Sequence, residues 1–409
     1  MMSVEQTLKP PFSWSIFLAS VSLAFFVDVK ALNYIIRAVT QNLEGGFMSM
    51  LYIGISSVIL LVSFFLQKHS FKSLFNYVGF LFLILICAYF YTNKNIGPVS
   101  VSFNLFAVFT LMAFVTPSLL EYDARIVLKT AMLLPIIGLF FSSRIFVVEF
   151  SSVGTVDMAV CYAFLVPIVA NFIYCVVYYK QEKGFSKKLT IICTIVNLFY
   201  LAQMIKFGSR GPFLCVVSLF LFFWLVKKGE GDGLSFSRWK VIIAFLLIIF
   251  LSLFLEETMR VLSSFFHEMG IKLNVIDKFV RKADESGDIT NGRVFVTEMA
   301  WYHIVKKPFV GHGIDQFPNV TGIVYPHNFL LQLLFDGGIL LFSIVVFPVV
   351  SKFVKWKKSC SYQEYVLLPF FFFISVPGAL VSSNMWKLET LWLFFGLVLS
   401  SNFLLKKNG

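Results

Sequence analysis

Along most of this chain polar positions come singly and apolar positions come in long blocks. Twelve blocks, roughly 12–34, 47–66, 73–92, 98–116, 126–143, 156–179, 188–206, 211–226, 239–255, 328–351, 363–381 and 388–405, reach or approach the ~20 apolar residues that cross a bilayer as a helix. The pattern predicts an all-α fold, a polytopic transmembrane helix bundle of about 12 spans. The seventh and eighth blocks are parted only by Phe207 to Gly211 and predict a tight helical hairpin. One segment breaks the pattern. Residues 256–326 are mixed polar and apolar, so the chain divides into 1–255 with spans one to nine, a partly helical loop at 256–326, and 327–409 with spans ten to twelve. Inside the loop, 258–281 reads as helix and Ala283 to Asn291 as a polar break. Asn291 is placed to cap a helix from about Gly292 to Lys306. Pro308 ends that helix, and Gly311 and Gly313 follow as turn residues. Gly229 to Gly233 reads as a separate turn, and the chain re-enters the membrane through Tyr325-Pro326-His327-Asn328.

Composition strengthens this reading. Of 409 residues, 58% are hydrophobic and 14% charged, against roughly a quarter charged in soluble domains. The net charge of +12 would raise nucleic acid as a partner in a soluble protein. Here Lys and Arg gather in alternate short loops, such as Lys180, Lys183, Lys187 and Lys188, or Lys352, Lys355, Lys357 and Lys358. That is how topology is encoded, and it predicts cytoplasmic N- and C-termini, an extracytoplasmic 256–326 loop and no nucleic-acid partner. The first block lacks a small-residue cleavage pattern and reads as a retained span. Five of the six cysteines lie in apolar blocks, Cys360 lies in a loop, and no CxxC pair occurs, so neither a disulfide framework nor a zinc site is expected. No internal repeat is visible and the blocks carry few charges, both of which weigh against a transporter.

Three clusters on one side of the membrane offer chemistry. Lys206-Phe-Gly-Ser-Arg210-Gly-Pro212 turns between spans seven and eight; its cations suit a phosphate, the Arg fork in a bidentate way, or else anchor the turn at the interface. Asn291-Gly-Arg293 opens the loop helix. A cation at a helix N-terminus is slightly disfavoured unless an anion pairs with it; the plain alternative is a surface Arg. Pro326-His327-Asn328 opens span ten, where Pro is at home in a first turn. The positive potential there favours a neutral His327, able to take a proton from a hydroxyl; the alternative is an interfacial histidine that caps. His267, His303 and His312 share the loop without metal-ligand spacing, so no metal site is expected.

These residues resemble a family. The stretch from 291 to 341 carries Gly292-Arg293, Trp301, Pro308 with Gly311 and Gly313, His327-Asn328 and Gly338, and Ser209-Arg210-Gly211 lies upstream between two spans. Together they resemble the O-antigen polymerase and O-antigen ligase superfamily, which shares the topology of about twelve spans with a large outer loop before the third-last. The resemblance implies a metal-independent glycosyltransferase without cofactor in the bacterial cytoplasmic (inner) membrane, its loop periplasmic or extracellular. Its donor would be an undecaprenyl-pyrophosphate-linked oligosaccharide and its acceptor a glycan hydroxyl. A chain-length regulator and a flippase would be its protein partners. His327 would be the base on the acceptor, and Arg210 and Arg293 would hold the pyrophosphate. Leu341 stands where the ligase-type pattern has Gly, Thr or Tyr. That tilts the expectation to a polymerase of surface polysaccharide, with a ligase transferring the glycan to lipid A core or another acceptor close behind. A lipid-linked glycan flippase is the alternative from another class.

Overall fold

The structure is a computed structural model. It describes residues 13–28, 120–141, 154–207, 210–228, 234–253, 255–270, 292–314, 316–358, 362–381 and 384–399, with scattered positions in 54–66 and 276–280. Among these the helices are α1 (Trp14–Val27), α2 (Ala124–Phe141), α3 (Gly154–Tyr178), α4 (Gly184–Phe207), α5 (Arg210–Leu225), α6 (Arg238–Leu253), α7 (Leu255–Glu268), α8 (Arg293–Lys306), α9 (Phe317–Thr321), α10 (Phe329–Lys358), α11 (Tyr362–Ala379) and α12 (Glu389–Leu399). Nine of the twelve apolar blocks therefore contain a described helix. The blocks at 73–92 and 98–116 lie outside the described residues, as does most of 47–66. Cys161–Gln181, Gly184–Ala202 and Phe329–Ser351 are long and apolar enough to cross a membrane, and Trp14–Val27, Gly211–Leu225, Val366–Ala379 and Glu389–Val398 are shorter apolar helices.

Helix α3 is the hub, packing against α2, α4, α5 and α11. The main core joins Leu23 of α1, Leu128 of α2, Ile173 of α3, Leu219 of α5, Phe370 and Phe371 of α11 and Leu393 of α12. Between spans the hydrophobic effect gives little drive, so close backbone approach and polar contacts carry association. Gly378 shows the first: a Cβ there would stand 3.2 Å from the Tyr162 ring and 3.5 Å from Cys215 Sγ, so α11 seats closely on α3 and α5. A polar cluster shows the second, at the far end of α3. Buried Glu182 accepts hydrogen bonds from Arg125 Nη2 at 2.6 Å and from the Tyr174 hydroxyl, with Lys129 Nζ 3.9 Å away. It ties α2, α3 and the start of α4 together.

The loop does not make a separate core. Val296, Ala300 and Ile304 of α8 and Phe317 of α9 pack on Leu331 and Phe335 of α10. Fully burying such side chains stabilises by about 1.5–3 kcal/mol each, and two of the six residues of this small core belong to the long apolar helix α10.

Four local expectations change. Helix α1 ends at Val27, with Asp28 at its C-cap, short of the block's end at 34. The stretch 258–281 is not one helix: α7 stops at Glu268, where Gly270 turns the chain at φ 72° and donates to His267 O at 2.9 Å. Asn291 lies outside the described residues, and the N-cap of α8 is Gly292, at φ 77° and with no side chain to cap. A short antiparallel hairpin, β1 (Val226–Lys228) with β2 (Leu234–Phe236), interrupts the all-α pattern between α5 and α6, pairing Val226 with Phe236. Three-residue strands are too short to show a period in sequence.

Candidate active site

The glycines of the loop motif form a backbone clasp. Helix α10 breaks at Gly338, with φ 61° and ψ −161°, and the break frees carbonyls above it and amides below it. The turn after α8 takes up both sets. His312 N donates to Phe335 O and Gly313 N to Asp336 O, each at 2.8 Å; Ile339 N donates to Pro308 O at 2.8 Å and Leu340 N to Phe309 O at 3.3 Å. Backbones this close leave no room for side chains. A Cβ on Gly338 would lie 2.3 Å from Phe309 C, and one on Gly311 2.6 Å from Phe335 O. Both residues also have positive φ, which glycine adopts without strain. The Pro-x-x-Gly-x-Gly signal and the distant Gly338 are thus two halves of one joint between loop and span.

The clasp places α8 along the upper part of α10, and the heads of the two helices carry the candidate chemistry. Asn328 caps α10: its Oδ1 accepts from Leu330 N at 2.9 Å and Leu331 N at 3.3 Å. Pro326 is buried and stands three residues before Phe329, outside the first turn where the sequence placed it. His327, between them, has φ 58°, the one positive-φ non-glycine among the described residues. A left-handed conformation at such a residue costs of order 1 kcal/mol, and strain of this kind concentrates at functional sites. The His327 ring lies 4.3 Å from that of Tyr325, centroid to centroid. Its Nδ1 is buried and has no hydrogen-bond partner among the described residues. Burial, and secondarily the charge of Arg293, hold the imidazole below its ordinary pKa. The expected neutral state thus comes from desolvation and a neighbouring cation.

Arg293 is the first residue of α8. It acts electrostatically on both His327 and Tyr325, so these three meet at one place. No carboxylate pairs with Arg293 among the described residues. Arg210 opens α5, but its side chain lies outside the described residues. The backbone supplies its address: Cys215, one turn on, faces Gly378 near the end of α11, and α11 leads to the Asn384–Trp386 turn, which touches α10. Arg210 therefore starts at the end of the bundle where His327 stands.

A buried polar network under this site is absent from the sequence reading. Gln332 Nε2 donates to Asn384 Oδ1 at 3.0 Å, Met385 N donates to Gln332 Oε1 at 2.9 Å, and Trp386 Nε1 donates to Asp336 Oδ2 at 2.6 Å. It fastens the α11–α12 connection to α10. Asp336 is one of the few charge-bearing residues within the apolar blocks, an almost fully buried carboxyl within α10. A charge-bearing residue inside an apolar block was the available signal. His303 and His312 have a structural arrangement: His312 Nε2 lies 2.9 Å from His303 O, and its ring stacks on Phe335 at 4.7 Å. Among the described residues no group of three metal-ligating side chains forms.

The site pairs a half-buried neutral imidazole with a cation that no carboxylate among the described residues matches. Such a pair can take a proton from a hydroxyl while holding an anion beside it. Residues 195–346 match the family model described as O-Antigen ligase. The matched stretch runs from α4 into α10 and takes in Arg210, Arg293, the clasp and His327. No curated protein matches the chain.

Proposed function

We propose, from the premise that residues 195–346 are an O-antigen ligase-type domain of the O-antigen polymerase and ligase superfamily, that this membrane protein is a surface-polysaccharide polymerase. It joins oligosaccharide repeat units carried on undecaprenyl pyrophosphate at the outer face of the bacterial cytoplasmic membrane. Its helices form a bundle of about twelve spans with both termini in the cytoplasm. The observation that carries the reading is His327: neutral, half-buried, backbone-strained and adjacent to Arg293. His327 accepts the proton of an acceptor sugar hydroxyl as that oxygen bonds to the anomeric carbon of the donor. The bond from that carbon to the pyrophosphate oxygen breaks, and undecaprenyl pyrophosphate leaves with the bonding electrons. Arg293 and Arg210 hold the pyrophosphate and offset its growing charge, so the step needs no metal or cofactor. The imidazolium then returns its proton to water.

A ligase, passing the finished glycan to lipid A core or another acceptor, is the second reading, and the description of the matching family favours it. Leu341 supports the polymerase: it packs over Gly337, whose added Cβ would meet Leu341 Cβ at 2.3 Å, and it fills a position that the ligase-type pattern gives to Gly, Thr or Tyr. The test is a deletion strain complemented with His327→Ala, scored by the gel ladder of its surface polysaccharide. Loss of a general base costs about 100-fold or more, so long chains should vanish; long chains that persist would remove His327 from the mechanism. Single lipid-linked units left at the outer leaflet identify a polymerase, and lipid-linked long chains a ligase. Accumulation at the inner leaflet would instead mean a flippase.

A further inference from the structure

Two loop helices turn large apolar side chains outward. On α8 and the turn after it, Trp301, Tyr302, Val305 and Phe309 are exposed, Val305 by 71% and Phe309 by 68%, with Glu298 and Lys306 exposed polar residues on the same side. On α7, Val261 and Phe265 are exposed by 63% and 53%, at the four-residue spacing that puts side chains on one helix face. An apolar area of this size in water would be a liability.

The chain indicates what covers it. Helix α7 starts two residues after α6 ends, and α6 is one of the apolar blocks. Phe309 is joined through its carbonyl to Leu340 N, and Pro308 to Ile339 N. Ile339 and Leu340 begin an exposed apolar stripe that continues along α10 through Ile344 and Phe347, within a helix long and apolar enough to cross the membrane. The loop's exposed side chains are therefore continuous with a surface that lipid must cover. At the join, Lys306 Nζ stands 3.8 Å above the Tyr302 ring, with Lys307 next in sequence. An amphipathic ring under a cation suits the headgroup layer, where the ring meets acyl chains and the ammonium meets phosphate.

We propose that α7 and α8 are seated in the bilayer interface, with their exposed apolar side chains in the lipid of the leaflet on the site's side. The head of α8, with Arg293, is thereby held at the depth of lipid phosphate. The proposal does not depend on glycosyl transfer, and its test reads no activity. Val305→Trp and Val261→Trp each add an indole at a largely exposed position, and Asn319→Trp on α9 is the control for an exposed polar site. The full-length protein is placed in phosphatidylcholine nanodiscs with or without bromine on the acyl chains, and wild-type emission is subtracted. At 305 and 261 the added emission should fall by about half or more with brominated lipid and hold against aqueous iodide, as for a helix lying in the interface. The control should show the reverse. Quenching by iodide at either test position would overturn the proposal. Resistance to both quenchers would also overturn it, because protein would then be the cover.

Discussion

Glu182 and His327 are both withdrawn from water beside an arginine, and the two arginines act in opposite ways. Burial alone would raise the carboxyl pKa of Glu182, but bonds from Arg125, Ser186 and Tyr174 and the charge of Arg125 outweigh it and bring the pKa down to about 2. Its charge state is locked, and its bonds are local to the ends of α2, α3 and α4. At His327 the neighbouring cation opposes charge, Nδ1 has no partner among the described residues and the backbone is left-handed. A polar group that holds helices together is saturated, whereas one suited to proton transfer keeps capacity in hand.

The largest effect should come from a change that touches neither polar set. Gly338→Ala forces a Cβ to within 2.3 Å of the Phe309 backbone at φ 61°. Overpacking and strain together should destabilise the protein by about 3 kcal/mol or more, and polymer formation should be lost because α8 separates from α10. Thermal unfolding and the polysaccharide ladder measure the two consequences. A variant with unchanged melting and full-length polymer would remove the clasp from the account of the site.

Much of this architecture is legible in sequence because membrane crossing needs only length and apolarity, and nine blocks contain helices where expected. The candidate residues are legible through their motifs, and the structure brings Arg293 and His327 together. The bonds between distant segments were out of reach. Pro308, Gly311 and Gly313 announce a turn, but nothing local says that its partner is the break at Gly338. Gln332 pairs with Asn384, and Asp336 with Trp386, 52 and 50 residues apart. Arg125 and Glu182 pair across 57 residues, and no local pattern links them. The strain at His327 also arises from contact, since the chain must pass from buried Pro326 to the cap made by Asn328 in one residue.

A middle-sized effect falls on the other region. Glu182→Gln keeps the shape and removes the charge, leaving Arg125 with a neutral acceptor. We expect a loss of about 2 kcal/mol in stability and unchanged activity per folded molecule. The acid limb sharpens the contrast. A carboxyl whose folded pKa is depressed contributes stability above its unfolded value, and that contribution is lost as pH falls through the folded one. For Glu182 the window runs from the ordinary 4.5 down to about 2. The Gln variant should lack that part of the acid dependence when unfolding is followed against pH. If activity per folded molecule falls as well, the two ends of α3 are coupled and the division drawn above fails.

The smallest effect is a displacement of a pH profile. The proposed mechanism requires neutral His327, and its folded pKa lies below the ordinary 6.5 through burial and then Arg293. The acid limb of the transfer rate, followed in vesicles with a lipid-linked donor, should therefore have its midpoint below 6.5. Arg293→Gln removes the repulsion and should move the midpoint up, though not the whole way, because burial is the larger cause and remains. The height of the profile will also fall, since the same side chain is proposed to hold pyrophosphate, so position rather than height carries the result. A limb that stays in place when Arg293 is neutral would mean that the cation does not govern the imidazole. A limb above 6.5 in the wild type would mean that an unmatched anion, and not Arg293, is the charge that His327 meets.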